Sequence, residues 1–173
     1  MAFLTIGYAT SALIVTSLVS LLGRPLVEVL DLSSAGRSLL AAGWLALCVV
    51  FNGGAVGLEP PMLKRQTPLT YLYLYGASRG ALLWGLDTGT MLSTFRVTSG
   101  TWAILGLVIL GVAPWWSGAV YGLSFGLGLL VVTLRISRTG GHAGATARLR
   151  PLLTAGMAAL LAAGAVQLVL AAG

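Results

Sequence analysis

Charge is scarce in this sequence. Asp and Glu number 4 and Lys and Arg 10 in a chain of 173 residues, so 8% of positions are charged. A soluble domain carries roughly 25%. With 57% of residues hydrophobic, the apolar surface exceeds what a core of this size could enclose, and the remainder is expected to face lipid. Cysteine is almost missing too. Cys48, the single one, lies inside an apolar run (LALCVVF), which excludes an intramolecular disulfide and a two-thiol relay. It is expected to pack as a small hydrophobe. His142 is the lone histidine and has no second ligand near it in sequence, so no metal site is expected.

Further absences narrow the chemistry. There is no paired-carboxylate site, nucleophile elbow, phosphate-cradling loop or His–Cys–Asp constellation, so neither an enzyme nor a cofactor is expected. The net charge of +6 would suggest nucleic acid in a soluble protein. Here no basic cluster with interleaved aromatics occurs, and the bases stand at the ends of apolar runs, where they meet headgroups. The first residues lack the basic start of a secretory leader and read as a retained first span.

What is present is a series of apolar runs. A bilayer-crossing helix needs roughly 20 mostly apolar residues in succession. Ala2–Leu22, Arg37–Leu58, Leu69–Ser93, Thr101–Val112, Ser117–Leu134 and Leu152–Ala172 predict an all-α polytopic membrane bundle, one domain over 1–173, in the cytoplasmic membrane of a bacterium. Pro114, Trp115 and Trp116 predict an interfacial turn that makes the fourth and fifth runs a hairpin. With the N-terminus outside, Arg24, Arg37, Arg96, Arg135, Arg138, Arg148 and Arg150 fall on the cytoplasmic side, against Lys64 and Arg65 outside. That satisfies the positive-inside rule. If the third run fails to cross, a five-span chain of the opposite orientation satisfies it as well.

Between the first two runs, GRPLVEVLDLSSAGR predicts a short interfacial turn of helix before Ser33 or Ser34 caps the next span. Glu59, Pro60, Pro61 and Pro68 predict an extended connector carrying Lys64 and Arg65. SRTGGHAGATARLRP, with Gly140, Gly141 and Gly144, predicts a flexible cytoplasmic loop. Tyr71, Tyr73 and Tyr75 predict an aromatic belt.

The third run carries the sharpest signal. Arg79 and Asp87 interrupt TYLYLYGASRGALLWGLDTGTMLSTF, and an unpaired charge at the bilayer centre costs at least about 2.5–3.5 kcal/mol. Both are therefore expected to face the protein interior or water. Eight residues separate them, about 12 Å along an ideal helix, so a break within Gly85–Gly89 would be needed to bring them together. Arg79 is the candidate anion anchor and Asp87 its counter-charge, with Thr88, Thr90 and Thr94 admitting a polar ligand. The competing reading has Arg79 snorkelling and Asp87 capping a helix.

Glycines recur at four-residue spacing: Gly76 and Gly80, Gly85 and Gly89, then Gly118, Gly122 and Gly126. In lipid such stripes mark close helix contacts, either within the chain or in a homo-oligomer or partner-subunit seam.

The run Gly85–Leu130, with its Gly-rich polar turn and Arg96, its short helix pair and the Tyr-Gly-x-x-x-Gly segment at 121–126, resembles small actinobacterial membrane proteins allied to the DsbD and cytochrome c biogenesis transmembrane family. That resemblance implies a compact six-helix bundle that moves reducing equivalents. Such activity requires two cysteines on separate helices next to prolines, and this chain departs from the pattern with Cys48 alone. The leading expectation is transport or permeation of a small polar or anionic solute. A non-catalytic subunit docking a partner membrane protein comes second, and a thiol or quinone redox protein third.

Overall fold

The computed structural model describes residues 2–52, 68, 70–90, 99–139 and 143–173, with side chains at all of these except 132, 133, 135–139 and 143–150. Thr94, Arg96, Glu59, Pro60, Pro61, Lys64, Arg65 and His142 lie outside the described residues. The chain is all-helical among them: α1 (Ala2–Val29), α2 (Ser34–Val50), α3 (Thr70–Thr88), α4 (Gly100–Ile109), α5 (Ser117–Thr139) and α6 (Ala143–Ala172). By length and apolarity two segments can cross a bilayer, α1 and Pro151–Ala172 of α6. The apolar helices Ser34–Val50, Gly100–Ile109 and Ser117–Val131 are shorter.

Three local expectations change. The interfacial turn at 24–29 is a continuation of α1, which runs helically through Pro25. Most of the stretch expected as a flexible loop is helical, because α5 persists to Thr139 and α6 begins at Ala143, and residues 140–142 lie outside the described residues. Hydropathy marks where a helix leaves lipid, whereas Ala, Leu and Arg in ATARLR favour the helix itself. The break in α3 falls at Gly76 (φ 74°, ψ 172°), a conformation open to glycine, and not within Gly85–Gly89. Ser33 does cap α2, its Oγ accepting from the Gly36 N–H at 3.1 Å.

Residues group into two compact units, Met1–Ser17 with Met62–Phe95 and Trp116–Ala145, and Leu18–Pro61 with Arg96–Trp115 and Thr146–Gly173. In the first unit, α1 is gripped by glycines of two neighbours. A Cβ on Gly85 would strike the Leu4 carbonyl oxygen, and one on Gly7 the Leu82 carbonyl oxygen. Gly89 sits 2.6 Å, measured from its would-be Cβ, from the Tyr8 carbonyl oxygen. The contacts move from Leu4 against Gly85 to Ser11 against Gly89, so this arm of α3 runs parallel to α1. Gly118, Gly122 and Gly126 of α5 descend α1 the other way, over Ala12 and Thr16, then Ala9, then Thr5. Tyr8, 1% exposed, stacks on Phe125 with ring centroids 4.5 Å apart. Beyond its break, α3 doubles back, and Gly80 packs on Tyr71 and Leu72 of its own first turns. Gly76 itself faces open space. The stripes therefore act inside the chain, where small residues let backbones meet.

The second unit is built on α2. Leu45, Cys48, Ala103 and Leu161 form its core, with Trp44, Trp102 and Met157 against it. Gly106 receives the Trp44 indole, whose Nε1–H donates to the Trp102 carbonyl at 2.8 Å. At the other end of α2 the Ser99 hydroxyl donates to the Cys48 carbonyl at 2.5 Å. Asn52 accepts there from the Ser99 N–H and donates to the Thr154 carbonyl at 2.6 Å. These pairings make α4 and α6 both antiparallel to α2. They also satisfy buried polar groups that would otherwise cost about 1–3 kcal/mol each.

Both α1 and α4 stop in the same way. Asp31 N–H bonds the Glu28 carbonyl and Leu32 N–H the Val27 carbonyl, while Gly111 N–H bonds Val108 and Val112 N–H bonds Leu107. Each is a Schellman cap, which needs a left-handed residue just past the helix. Gly111 (φ 68°) meets that need without strain, whereas Asp31 (φ 46°) does not. Asp31→Gly is expected to raise stability by about 0.5–1 kcal/mol, read as a higher midpoint in thermal unfolding of the detergent-solubilised protein.

Candidate functional site

Arg79 and Asp87 both lie on the α3 arm beyond Gly76, which is helical through Thr88. With no break between them they stay about 12 Å apart along the axis. Arg79 is exposed. Asp87 is half-buried with its Oδ2 shut off from solvent. The expected deep Arg–Asp site is thus not assembled: Arg79 does not share the enclosure around Asp87. The Thr88 hydroxyl donates to the carbonyls of Trp84 (2.8 Å) and Gly85 (3.2 Å), and that of Thr90 to the Asp87 carbonyl (2.8 Å). Both hydroxyls thus donate to backbone carbonyls of their own helix end.

The second unit contains a group of charges that the apolar-run argument passed over. A half-open cavity of about 510 Å³ is lined by Arg24, Glu28, Asp31, Arg37, Gly111 and Trp115, among others. Ser20, Arg24, Val27, Glu28 and Asp31 recur at helical spacing, so the last turns of α1 present one continuous face to it. The Schellman caps of α1 and α4 turn the chain at its wall, bringing Asp31 and Gly111 to the same space. Arg37 enters from the first turn of α2, its Nη1 3.5 Å from where a Gly111 Cβ would stand. Trp115, half exposed, lines it beyond the α4 cap.

Among the described residues, none of these four charged side chains makes a hydrogen bond or ion pair, and Arg37 Nε is buried without an acceptor. Arg24 precedes Glu28 by four residues, the less favourable order for a helical ion pair, and even a good pair is worth only about 0.2–0.5 kcal/mol. The i, i+4, i+7 spacing of Arg24, Glu28 and Asp31 was readable as one face. That Arg37 and Trp115 complete it was not, because they are brought in by α2 and α4.

Cys48 is 3% exposed, inside the α2 core. A maleimide is expected to leave the folded protein unlabelled over a period in which the SDS-denatured chain reacts to completion, as mass spectrometry would show. Rapid labelling in mild detergent would place the thiol at a surface.

Comparison of the chain with protein-family models, with curated proteins and with solved structures gave no match. The functional reading accordingly rests on the side chains and their placement.

Proposed function

We propose that the chain is a multi-pass protein of the bacterial cytoplasmic membrane that binds and passes a small polar or anionic solute, without covalent chemistry of its own. The observation that carries this reading is the charged cavity: two arginines and two carboxylates without partners among the described residues, on helices that otherwise expose leucine, valine and phenylalanine. Arg24, Glu28 and Asp31 are exposed at the cavity and Arg37 is half-buried with its Nε enclosed, so a polar solute has access to all four. In this reading Arg37 is the anchor for the anionic group, and Asp87 with Thr88 and Thr90 forms a second polar station.

Five spans are favoured over six. Trp115 lines the same cavity as Arg24 and Arg37, so an even number of crossings separates them, and α3 with its doubled-back start is the run that does not complete one. The positive-inside rule then sets Arg24 and Arg37 outside, with Lys64, Arg65, Arg135, Arg138, Arg148 and Arg150 in the cytoplasm. The N-terminus becomes cytoplasmic, the reverse of the six-span orientation. An N-terminal epitope tag should resist protease in intact spheroplasts and be cut after lysis; cleavage before lysis would restore six spans.

Transport is tested in proteoliposomes loaded against a panel of labelled small anions and zwitterions. Uptake of at least one is expected, and Arg37→Ala should lower it tenfold or more while the protein elutes unchanged on size exclusion. No uptake across the panel would remove the transport reading. A second reading, docking of a partner membrane protein, has its own support: 6% of the apolar window of α6 is buried. An apolar groove also runs between α2 and α6 past Gly43 and Ala165. Co-purification of a stoichiometric partner would favour it.

A further inference from the structure

We infer that the cavity between α1, α2 and α4 is a receptor for a zwitterion, a small group bearing an oxyanion and a protonated amine a few ångströms apart, as in phosphoethanolamine. This rests on the reading of that cavity as the solute site and names the ligand class it takes.

The argument is one of charge balance. Arg24 and Arg37 contribute two positive charges to the lining, Glu28 and Asp31 two negative. An anion alone would meet two carboxylates, and a cation alone two guanidinium groups. The lining is neutral as a set, and a ligand of both signs can place each of its ends against groups of the opposite charge.

Arg24 shares α1 with Glu28, but Arg37 stands on a different element from both carboxylates and offers the anionic end its own place. Arg37 belongs to α2, and its guanidinium reaches the α4 cap at Gly111. Glu28 and Asp31 lie on the last turn and cap of α1, with Asp31 pinned in the left-handed region. A guanidinium presents a fork of donors that fits phosphate or carboxylate oxygens. The buried Arg37 Nε, with no acceptor among the described residues, is such a donor awaiting an oxygen. An ammonium has three donors and no acceptor, and carboxylates supply what it needs. Arg24 and Glu28 stand about 6 Å apart along α1, close to the separation of a phosphate and an amine joined by two carbons. The volume of about 510 Å³ lies within the range of ordinary ligand sites and leaves space for water or a longer tail.

The same zwitterion occurs free and as the headgroup of phosphatidylethanolamine. Trp115, a residue type that settles at headgroup depth, stands half exposed on this lining, so the experiment must separate the sources. The full-length protein is placed in phosphatidylglycerol nanodiscs and titrated calorimetrically with phosphoethanolamine, inorganic phosphate and ethanolamine. In a parallel arm, thermal unfolding is compared in discs with and without phosphatidylethanolamine.

Phosphoethanolamine is expected to bind at least tenfold more tightly than either half, which assigns the free compound. A higher unfolding midpoint confined to phosphatidylethanolamine discs assigns the lipid. Arg37→Gln should weaken binding tenfold or more. Glu28→Gln with Asp31→Asn should erase the preference over inorganic phosphate. Should Arg37→Gln fail to fold, the carboxylate variant, altered at exposed positions, carries the test alone. Equal binding of phosphate and phosphoethanolamine, undiminished preference in the carboxylate variant, or no response in either arm would overturn the inference. Binding that persists while uptake fails would sink transport alone; uptake with no zwitterion preference would sink this inference alone.

Discussion

Gly85→Val is expected to leave no folded monomer in mild detergent, with the protein eluting as aggregate on size exclusion. The added side chain would begin at an atom overlapping the Leu4 carbonyl oxygen, with Tyr8 N 2.9 Å and Leu4 C 3.0 Å away. All three are backbone, so no rotamer change makes room, and the α1–α3 crossing must open. Overpacking in a core costs about 1–3 kcal/mol when side chains can adjust, and a rigid neighbour places this change at or above the top of that range. Opening the crossing would also strip Gly7 of its contact with Leu82 and Gly89 of its contact with Tyr8. The control is Gly128→Val, on α5, where a Cβ meets nothing within 4 Å. It should fold and elute as the parent does. Equal damage from the two substitutions would mean that helix propensity, not the crossing, sets the outcome.

In the second unit the largest effect is expected at Gly106. Its would-be Cβ overlaps the Trp44 indole, 2.6 Å from Cε2, and that ring is held by the bond from its Nε1–H to the Trp102 carbonyl. Gly106→Val must evict the indole, losing the hydrogen bond, worth about 1 kcal/mol. Packing is lost as well, comparable to a Trp→Ala change at about 3–5 kcal/mol. A double-mutant cycle isolates the contact. In a Trp44→Ala background Gly106→Val should cost far less, with a coupling of about 1–3 kcal/mol in the unfolding free energy. Additive losses would show that Gly106 matters for some reason other than making room for Trp44.

Much of the helical layout was readable one segment at a time. The apolar runs predict α1, α2, α5 and α6 because burial in lipid or core depends on composition over a window, and composition is local. Ser33 as a cap and Ser117 as the start of α5 after Pro114 follow from equally local chemistry. The misreadings share a cause. Polarity at residues 24–29 predicts a separate interfacial turn of helix and at 143–150 a loop, yet polarity governs where a helix sits and not whether it forms. At Gly76 the sequence offered one of seven stripe glycines with nothing to distinguish it. The break falls there because α3 folds its first turns onto Gly80, a contact within one element that hydropathy does not register.

The site divides the same way. Arg79 and Asp87 drew notice as charges in an apolar run, and the helix between them, unbroken from Ala77 to Thr88, kept them apart. Arg24, Glu28 and Asp31 shared a face by spacing, but they read as headgroup contacts while Arg37 and Trp115 stood far off in sequence.

From composition and spacing alone come an all-helical chain with more apolar surface than it can hide, a single cysteine, and glycines suited to close helix contact. Each depends on single residues or short windows. Which backbone each stripe glycine admits, where α3 bends, and that four charged residues line one cavity depend on residues brought together in space. Packing geometry sets those pairings, and it has no signature in any one segment.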